Sequence, residues 1–381
     1  MLWDFRYLRF LDWRVVTIIF SLMGISLLVI SSQSLPPLTD QFTVTSVLIK
    51  QTEFFVIGFL FFLFFAAFDY NKIREWTWVL YAIMILALLG LFFTDSIQRV
   101  HRWYKVPILN IGLQPSEYAK LVVIIALSWF LERRSGYSEN WGTVFLAGLI
   151  VGIPFLLILK QPDLGTALVL LPMTLVMFYY GNIHPLVIKI MTIGAFVSLL
   201  LVALTFLEII PHEQLRPYAL KVMREYQFER LNPQSHHQKA AATSIAVAGW
   251  TGSGWNQSTY SGEGWLPAPY TDSVFPAFTE EFGFLGAAFL LGLLYALVYC
   301  CFQVTAVAQD LFARLLSSGI SVYFAIHVLV NVGMMCGFLP ITGVPLLIVT
   351  SGGSSVFFAM IALGILQSIY CRRYRLSRGY N

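Results

Sequence analysis

Long apolar blocks, separated by short polar segments, run along most of this chain. Because about 20 apolar residues cross the hydrocarbon core of a bilayer as a helix, blocks of that length predict membrane-spanning helices. The pattern predicts an all-α polytopic membrane protein with about ten transmembrane helices, forming a single domain over residues 1–381. The ten blocks are residues 14–32, 51–68, 76–94, 116–131, 142–159, 164–181, 185–208, 278–303, 313–336 and 345–370.

The polar segment between the seventh and eighth blocks, residues 209–276, is much longer than the others. Its end reads YTDSVFPAFTEEFG, which places Asp272, Glu280 and Glu281 at the edge of the next apolar block. A carboxylate that leaves water is costly unless something pairs with it, so these acids are candidate functional residues. For Glu280 and Glu281 the alternative is that they are early helix residues favoured by the helix dipole.

The composition agrees with a membrane protein, because 58% of the residues are hydrophobic and only 12% are charged. An ordinary soluble domain is roughly a quarter charged. Lys and Arg do not cluster with aromatic residues in any polar segment, so a nucleic-acid surface is not expected. No disulfide framework is expected either, since the four cysteines lie in apolar blocks or at the C-terminal tail. The apolar run from Val15 to Ser32 is too long for a signal peptide and predicts an uncleaved first span.

The distribution of basic residues predicts the orientation. With the N-terminus inside, most Lys and Arg residues of the termini and short loops fall on one side, so both termini are predicted to be cytoplasmic and the long loop external. Arg99, Arg102 and Lys105 are exceptions on the outer side, in the segment QRVHRWYK. We interpret them as ligand-binding residues, the alternative being a loop that contacts anionic headgroups.

Two helix starts on the predicted outer side share a pattern, QPSEYAKL at 114–121 and KQPDLGTAL at 160–168. Glu117 and Asp163 each suit the first turn of a helix, where an acid caps the backbone or is favoured by the dipole. For Asp163 the capping interpretation is favoured. Lys120 needs more explanation, because it lies inside an apolar block on the same face as Glu117. The spacing leaves a structural ion pair and a substrate contact equally open.

Two further segments interrupt the apolar pattern. The run SIAVAGWTGSGW at 244–255 is apolar and then Gly-rich, and is expected to re-enter the membrane or to lie at its interface. The last block carries Pro, Gly and Ser in LPITGVPLLIVTSGGSSVFF at 339–358. This pattern indicates either a kinked helix or a broken helix that lines a polar cavity and exposes Ser351 and Ser354 to a ligand.

Taken in order, QPSEYAKL, QPDLGTAL, SIAVAGWTGSGW…WLPAPYTDSVFPAFTEEFGFLG and LPITGVPL…SGGSS resemble the SEDS family of cell-wall proteins (RodA, FtsW, SpoVE). The resemblance covers most of the chain and is greatest to the elongation branch, because LDWR directly precedes the first span. The sequence departs from the family pattern at Pro267-Ala268, where PE is usual, at PLLIVTSGGSS, where PLPFxSYGGSS is usual, and at TDSIQRVHRW, which replaces a Gly-rich approach.

The resemblance implies a peptidoglycan glycosyltransferase that polymerises lipid II during cell-wall elongation and cell-shape maintenance, in the bacterial cytoplasmic membrane. By family position Asp272 is the candidate base, and Arg102 and Lys120 are candidates to offset the charge of the polyprenyl pyrophosphate leaving group. A divalent cation, Mg or Mn, could share that role. The implied partners are lipid II, membrane lipids and a class B penicillin-binding protein. The remaining candidate substrate contacts are Glu117, Asp163, Glu280, Glu281, Ser351 and Ser354.

Three alternatives to this function are a lipid II flippase, a division-type (FtsW-like) polymerase and a non-enzymatic scaffold. Broken helices and charges within the membrane also suit a transporter. Against a transporter, the polar residues cluster toward the outer side, and the two Q-P-acid helix starts are the only sign of an internal repeat. A scaffold predicts that the carboxylates are dispensable.

Overall fold

The computed structural model describes residues 2–34, 44–93, 103–106, 111–206, 209–220 and 225–373. These residues form thirteen α-helices, four short 3₁₀ helices and one antiparallel pair of strands. The strands are β1 (Tyr104–Val106) and β2 (Ile111–Leu113), with Tyr104 opposite Leu113. The α-helices are α1 (Trp13–Gln33), α2 (Ser46–Ala67), α3 (Ile73–Gly90), α4 (Pro115–Arg133), α5 (Trp141–Lys160), α6 (Leu164–Tyr180), α7 (Pro185–Phe206), α8 (His212–Ala219), α9 (Glu225–Glu229), α10 (His236–Val247), α11 (Val274–Val307), α12 (Leu311–Met335) and α13 (Gly353–Cys371).

Ten of these helices correspond to the predicted spans. Among the described residues, eight are long and apolar enough to cross a membrane: α1, α2, α3 with its flanking turns, α5, α7, α11, α12 and α13. Helix α6 is apolar but has only 17 residues, and α4 carries Glu117 and Lys120 within its apolar sequence. The all-α, polytopic architecture is therefore confirmed.

The helices run between two faces of the bundle. On one, which we call the loop face, the end of α1 meets the long polar segment, where Gln33 Nε2 donates to Ser258 Oγ at 3.3 Å. The opposite face carries the start of α1, and we call it the terminus face. There Arg74 binds Glu132 at 2.8 Å and Asp310 at 2.6 Å, which joins α3, α4 and the α11–α12 turn.

The helices differ greatly in how much protein surrounds them. Helices α12 and α13 are mostly buried, and α4 is enclosed along nearly its whole length. Helix α2 packs along α13. Helix α7 packs chiefly against α6, and no residue in its most apolar stretch is buried by protein. The bundle therefore has a protein-enclosed centre and at least one helix whose surface faces lipid.

The last predicted block contains a broken helix rather than a kinked one. Residues 336–352, which we call the broken segment, leave helical geometry, and α13 begins only at Gly353. The freed backbone groups are bound from within the protein, since Asn331 Nδ2 donates to Val344 O at 2.9 Å and Ser351 N donates to Tyr270 O at 2.8 Å. Irregular backbone inside a membrane bundle requires such partners.

The Gly-rich end of residues 244–255 docks onto a break in α11, and the expected place of this run in the membrane or at its interface stays a prediction. At Gly283, where φ is 68°, α11 loses its regular hydrogen bonding. Ser253 N and Gly254 N then donate to the carbonyls of Glu280 and Glu281, both at 2.9 Å. A Cβ on Gly252 would clash with the Glu281 carbonyl, so the two backbones approach closely only because that position is glycine.

The contact between α2 and α13 yields a first prediction. A Cβ on Gly364 would lie 2.6 Å from the carbonyl oxygen of Phe62, whereas a Cβ on Gly148 in α5 would meet nothing within 4 Å. Gly364→Ala should lower the free energy of unfolding by roughly 1–3 kcal/mol through overpacking. Gly148→Ala, the same chemical change, should be neutral or slightly stabilising because alanine favours helix. Thermal unfolding in detergent compares the two, and equal melting temperatures would refute the predicted close packing.

Candidate active site

Asp272 lies in the last turn before α11, on the loop face, with a half-buried side chain. A Cβ placed on Gly343 would lie 3.6 Å from Asp272 Oδ2, so the broken segment passes directly beside this carboxylate. Burial raises the pKa of the Asp272 carboxyl above its ordinary value, and the charge of Arg230 opposes that rise. Arg230 is itself held over the broken segment, where its Nη1 donates to Thr342 O at 3.4 Å.

Asn331 positions Asp272 through the backbone. Its Nδ2 donates to the carbonyl of Asp272 at 3.2 Å and to that of Val344 at 2.9 Å, and its side chain is completely buried. The next residue along, Ser273, contacts His237 Nε2 at 2.7 Å through its hydroxyl. These contacts fix both the turn that carries the acid and the broken segment opposite it.

Glu117 and Lys120 form a buried ion pair on α4. Lys120 Nζ lies 2.7 Å from Glu117 Oε1, and the side chains are 1% and 4% exposed. Lys120 Nζ also lies 2.9 Å from His327 Nε2 and 5.2 Å from the ring centre of Tyr323. Because the ammonium group only donates, His327 Nε2 must accept, which leaves Nδ1–H to donate to Pro345 O at 3.0 Å.

The second oxygen of Glu117 has no hydrogen-bond partner among the described residues. Glu117 Oε2 is buried, and no described residue donates a hydrogen bond to it. A buried acceptor without a donor is costly, so this atom is an available binding point for a donor group. The predicted pair therefore exists as a structural ion pair, and it still leaves one oxygen for a ligand.

Asp163 caps α6 and joins the two Q-P helix starts. Its Oδ1 accepts from Thr166 N at 3.3 Å, which is the capping interaction expected from the sequence. Its Oδ2 accepts from Gln114 Nε2 at 2.9 Å and from Ser116 Oγ at 3.0 Å. The acid of the second motif is thus held by the glutamine and serine of the first.

Ser351 in the broken segment and Ser354 in the first turn of α13 have structural contacts. Ser354 Oγ donates to Gly112 O at 2.7 Å and accepts from Gln114 N at 3.1 Å, which ties the strand pair to the start of α13. Ser351 donates its backbone N–H to Tyr270 O, and its side chain is half-buried. Their predicted contact with substrate remains a prediction.

Glu280 and Glu281 hold the long loop, through partners other than the Asn331 side chain that positions Asp272. Glu280 accepts from Ser244 Oγ at 2.6 Å, Tyr260 N at 2.7 Å and Ser261 N at 3.0 Å. Glu281 accepts from Gln33 Nε2 and from the hydroxyl of Ser32 at the end of α1. The helix-dipole alternative is wrong, because α11 begins at Val274, more than one turn before either acid.

Two predictions, the phosphate-binding arginine and the divalent metal ion, are not tested by the described residues. Arg102, the candidate phosphate-binding cation, lies outside the described residues, as does Arg99. Within the described ranges, no group of three or more His, Cys, Asp or Glu side chains is arranged to hold a metal ion. The expectation of Mg or Mn therefore stays a prediction.

Sequence reasoning missed His327, Asn331 and Arg230. A signal existed for the first two, since they are polar residues four positions apart in an apolar block and must share one helix face. Nothing in the local sequence singled out Arg230 among the charges of the long loop. Arg230 matters because folding brings its side chain near Thr342 and Asp272, which are distant from it in the sequence.

Fold and site together define a polytopic membrane protein with a buried, ion-paired polar site toward one face of its helix bundle. Residues 13–375 match the family described as cell cycle protein, FTSW_RODA_SPOVE. The chain belongs to this family, the SEDS proteins, which confirms the resemblance drawn from the four motifs.

Named relatives agree with the enzyme class expected from the sequence. Peptidoglycan glycosyltransferase MrdB of Helicobacter pylori (strain ATCC 700392 / 26695) is 31% identical over 340 residues, covering 87% of this chain and 85% of that protein. MrdB of Escherichia coli (strain K12) is 31% identical over 80% of each chain. Peptidoglycan glycosyltransferase RodA of Treponema pallidum (strain Nichols) is 29% identical, over 97% of this chain and 98% of that one.

Solved structures share the fold. A chain from a structure described as structural coordination of polymerization and crosslinking by a peptidoglycan synthase complex has a TM-score of 0.73 and 25% identity, covering 96% of this chain and 99% of that one. The rod shape determining protein RodA of Thermus thermophilus has a TM-score of 0.69 at 24% identity, over 96% and 98% of the two chains. The second likeness supports the fold alone.

The buried ion pair yields a second prediction. Lys120→Met removes the counter-charge of Glu117 and should destabilise the protein by about 3–5 kcal/mol, because a lone carboxylate then remains buried. The double variant Glu117→Gln/Lys120→Met leaves no charge at these two positions and should recover most of that loss. Detergent melting measures both.

Polymer synthesis by the same variants separates structure from function. If the pair contacts substrate, the double variant should stay inactive although it is stable. A double variant that regains both stability and activity would show that the pair is only structural.

Proposed function

We propose that this chain is a peptidoglycan glycosyltransferase that polymerises lipid II into glycan strands for cell-wall elongation. The observation that carries the proposal is Asp272, a half-buried carboxylate near Arg230 that is held against the broken segment by Asn331. The environment keeps its pKa above that of an exposed aspartate, which improves a carboxylate as a proton acceptor. Family membership and the names of the relatives give the reaction class.

In the proposed step, a sugar hydroxyl of one substrate attacks the anomeric carbon of the other. Asp272 takes the hydroxyl proton as the new carbon–oxygen bond forms. The bond between the anomeric carbon and the pyrophosphate oxygen breaks, and the polyprenyl pyrophosphate leaves with the electron pair. Positive charge develops on the sugar in this transition state, and attack opposite the leaving group inverts the anomeric configuration.

The leaving group carries negative charge that cations must offset. Lys120 is the described candidate, and its contact with His327 Nε2 orients the ammonium group between α4 and α12. Arg102 is the second candidate from the sequence. A bound Mg²⁺ or Mn²⁺ would supply further neutralisation.

Location and partners follow from the same proposal. We place the protein in the bacterial cytoplasmic membrane with both termini cytoplasmic, since the terminus face carries Arg74, Arg314 and Arg372. The loop face and Asp272 then meet externally presented lipid II. The likeness to a chain of a peptidoglycan synthase complex supports a cross-linking partner, for which a class B penicillin-binding protein is the candidate.

A flippase is less well supported, because the described polar network does not cross the bundle. On the terminus-face side of Lys120, α4 continues with seven consecutive buried apolar residues, 121–127. On α12, Leu316 and Ile320 are also buried and apolar. The buried hydroxyls nearby, Ser317, Ser318 and Ser321, donate to carbonyls of their own helix. A transported headgroup would need polar groups that are free to bind it at that depth.

The proposed base gives a third prediction. Asp272→Asn should lower the rate of glycan polymerisation by roughly 10²–10⁴-fold, because it removes the proton acceptor while keeping the shape. The polymerisation rate is measured by supplying labelled lipid II, with the partner penicillin-binding protein where required, and separating the products on a gel. Glu263→Gln, a neutralised carboxylate exposed in the same loop, should polymerise like wild type.

Two outcomes would contradict the proposal. Normal polymerisation by a folded Asp272→Asn variant would rule out Asp272 as the base. Transport of lipid II across liposomes by a wild type that makes no polymer would favour the flippase.

The acid side of the pH profile gives a fourth prediction. Asp272 acts as a base only when ionised, and burial raises its pKa, so activity should fall on acidification at a pH above the ordinary aspartate pKa. Arg230 lowers that pKa, so Arg230→Gln should move the acidic limb to higher pH. Polymerisation rates across a pH series measure the shift. If Arg230→Gln left the acidic limb unchanged or moved it to lower pH, a group other than Asp272 would control that limb.

A further inference from the structure

A cavity of about 800 Å³ opens on the terminus face, away from the proposed active site. It lies between the turn that joins α4 to α5 and the turn that joins α6 to α7, and we call it the turn cavity. None of its lining residues takes part in the proposed polymerisation. Those used below are Tyr137, Ser138, Glu139, Tyr179, Asn182 and Lys189.

The protein holds the turn cavity open without help from a ligand. The ring of Trp141 stacks on His184 with centroids 4.7 Å apart, which joins the two turns. Thr143 Oγ1 donates to Tyr137 O at 2.8 Å, and Ile183, only 1% exposed, donates its N–H to Phe178 O at 3.0 Å. A preformed space of this volume is within the range of sites that bind small molecules.

Two opposite charges line the turn cavity without contacting each other. Glu139 and Lys189 are both exposed, and neither forms an ion pair within the part of the chain that the structure describes. The cavity therefore presents a separate anion-binding point and cation-binding point. A ligand that satisfies both must itself carry a positive and a negative group some distance apart.

The turn cavity lies where a membrane places its headgroups. Helix α4 ends at Arg133 and α5 begins at Trp141, while α6 ends at Tyr180 and α7 begins at Pro185. The ends of spanning helices mark the membrane interface, where exposed Trp and Tyr are enriched. Exposed aromatic residues surround the cavity accordingly: Tyr137, Trp141 and Tyr179.

Apolar surface continues from the turn cavity toward the membrane interior. Ile193 and Phe196 follow Lys189 by four and seven residues, so they lie on the same face of α7. They and Phe145 on α5 are between 52% and 66% exposed. No residue in the most apolar stretch of α7 is buried by protein, so acyl chains can lie along this helix. A molecule with a charged head in the cavity and two acyl chains would therefore find a matching surface.

We propose that the turn cavity binds the headgroup of a zwitterionic phospholipid, a phosphatidylethanolamine. Lys189 binds the phosphate, and Glu139 accepts hydrogen bonds from the ethanolamine ammonium, whose three N–H donors also reach the oxygens of Ser138 or Asn182. The acyl chains lie on α5 and α7. A phosphatidylglycerol headgroup matches Lys189 equally well but offers no cation to Glu139, so the acid supplies selectivity.

Lipid retention tests this site without reference to polymerisation. The full chain is reconstituted in nanodiscs of equal phosphatidylethanolamine and phosphatidylglycerol content, released into mild detergent, and its retained lipids are quantified by mass spectrometry. Wild type should retain phosphatidylethanolamine over phosphatidylglycerol by about fivefold, a ratio typical of one interfacial charge contact. Glu139→Gln should remove or reverse that preference, because only the cation remains. Lys189→Gln should lower retention of both lipids.

Lys72→Gln is the matched control, since Lys72 lies on the same face but pairs with Glu75 outside the turn cavity. It should keep the wild-type ratio, and detergent melting should show all three variants folded, because the substituted side chains are solvent-accessible. Equal or greater retention of phosphatidylglycerol by wild type would overturn the proposal. So would a wild-type ratio in Glu139→Gln, or a loss in Lys72→Gln as large as in Lys189→Gln.

Discussion

Backbone that leaves helical geometry inside a membrane bundle must have its polar groups bound by protein, and the site depends on how α12 meets that requirement. Asn331 and His327, one helical turn apart, bind the carbonyls of Val344 and Pro345. The same two side chains reach the backbone of Asp272 and the ammonium of Lys120. One face of one helix thus positions the proposed base, the buried cation and the chain break between them.

The electrostatic arrangement follows from the low polarity of the surroundings. A buried ammonium group needs a counter-charge, and Glu117 supplies it from the same helix. His327 remains an acceptor toward Lys120 because its other ring nitrogen donates to Pro345. Asp272 differs, since it lies in a turn at the loop face and its neighbouring charge, Arg230, comes from the long loop. The enclosed Lys120 and Glu117 are thus ion-paired, whereas the charge of the proposed base is more loosely balanced.

The sequence pattern predicted the helices well, because block length and apolarity alone decide whether a segment can cross a bilayer. It also identified Glu117, Lys120 and Asp163, whose partners lie within a helical turn or in a matching motif. It could not separate Asp272 from Glu280, because the donors that occupy Glu280 come from Ser244 and residues 260–261, which only tertiary folding brings near. The role of Arg230 was hidden for the same reason, and the start of α13 was misplaced because hydrophobicity cannot show where a helix breaks.

The close approach of Gly252 to the break at Gly283 has a consequence for the order of assembly. The carbonyls of Glu280 and Glu281 receive donors from residues 253 and 254, which precede them in the chain. During synthesis the donors are therefore made before the acceptors, and the first part of α11 can settle only against a loop that already exists. Docking of the long loop, rather than packing of the ten spans, then sets when Asp272 acquires its surroundings.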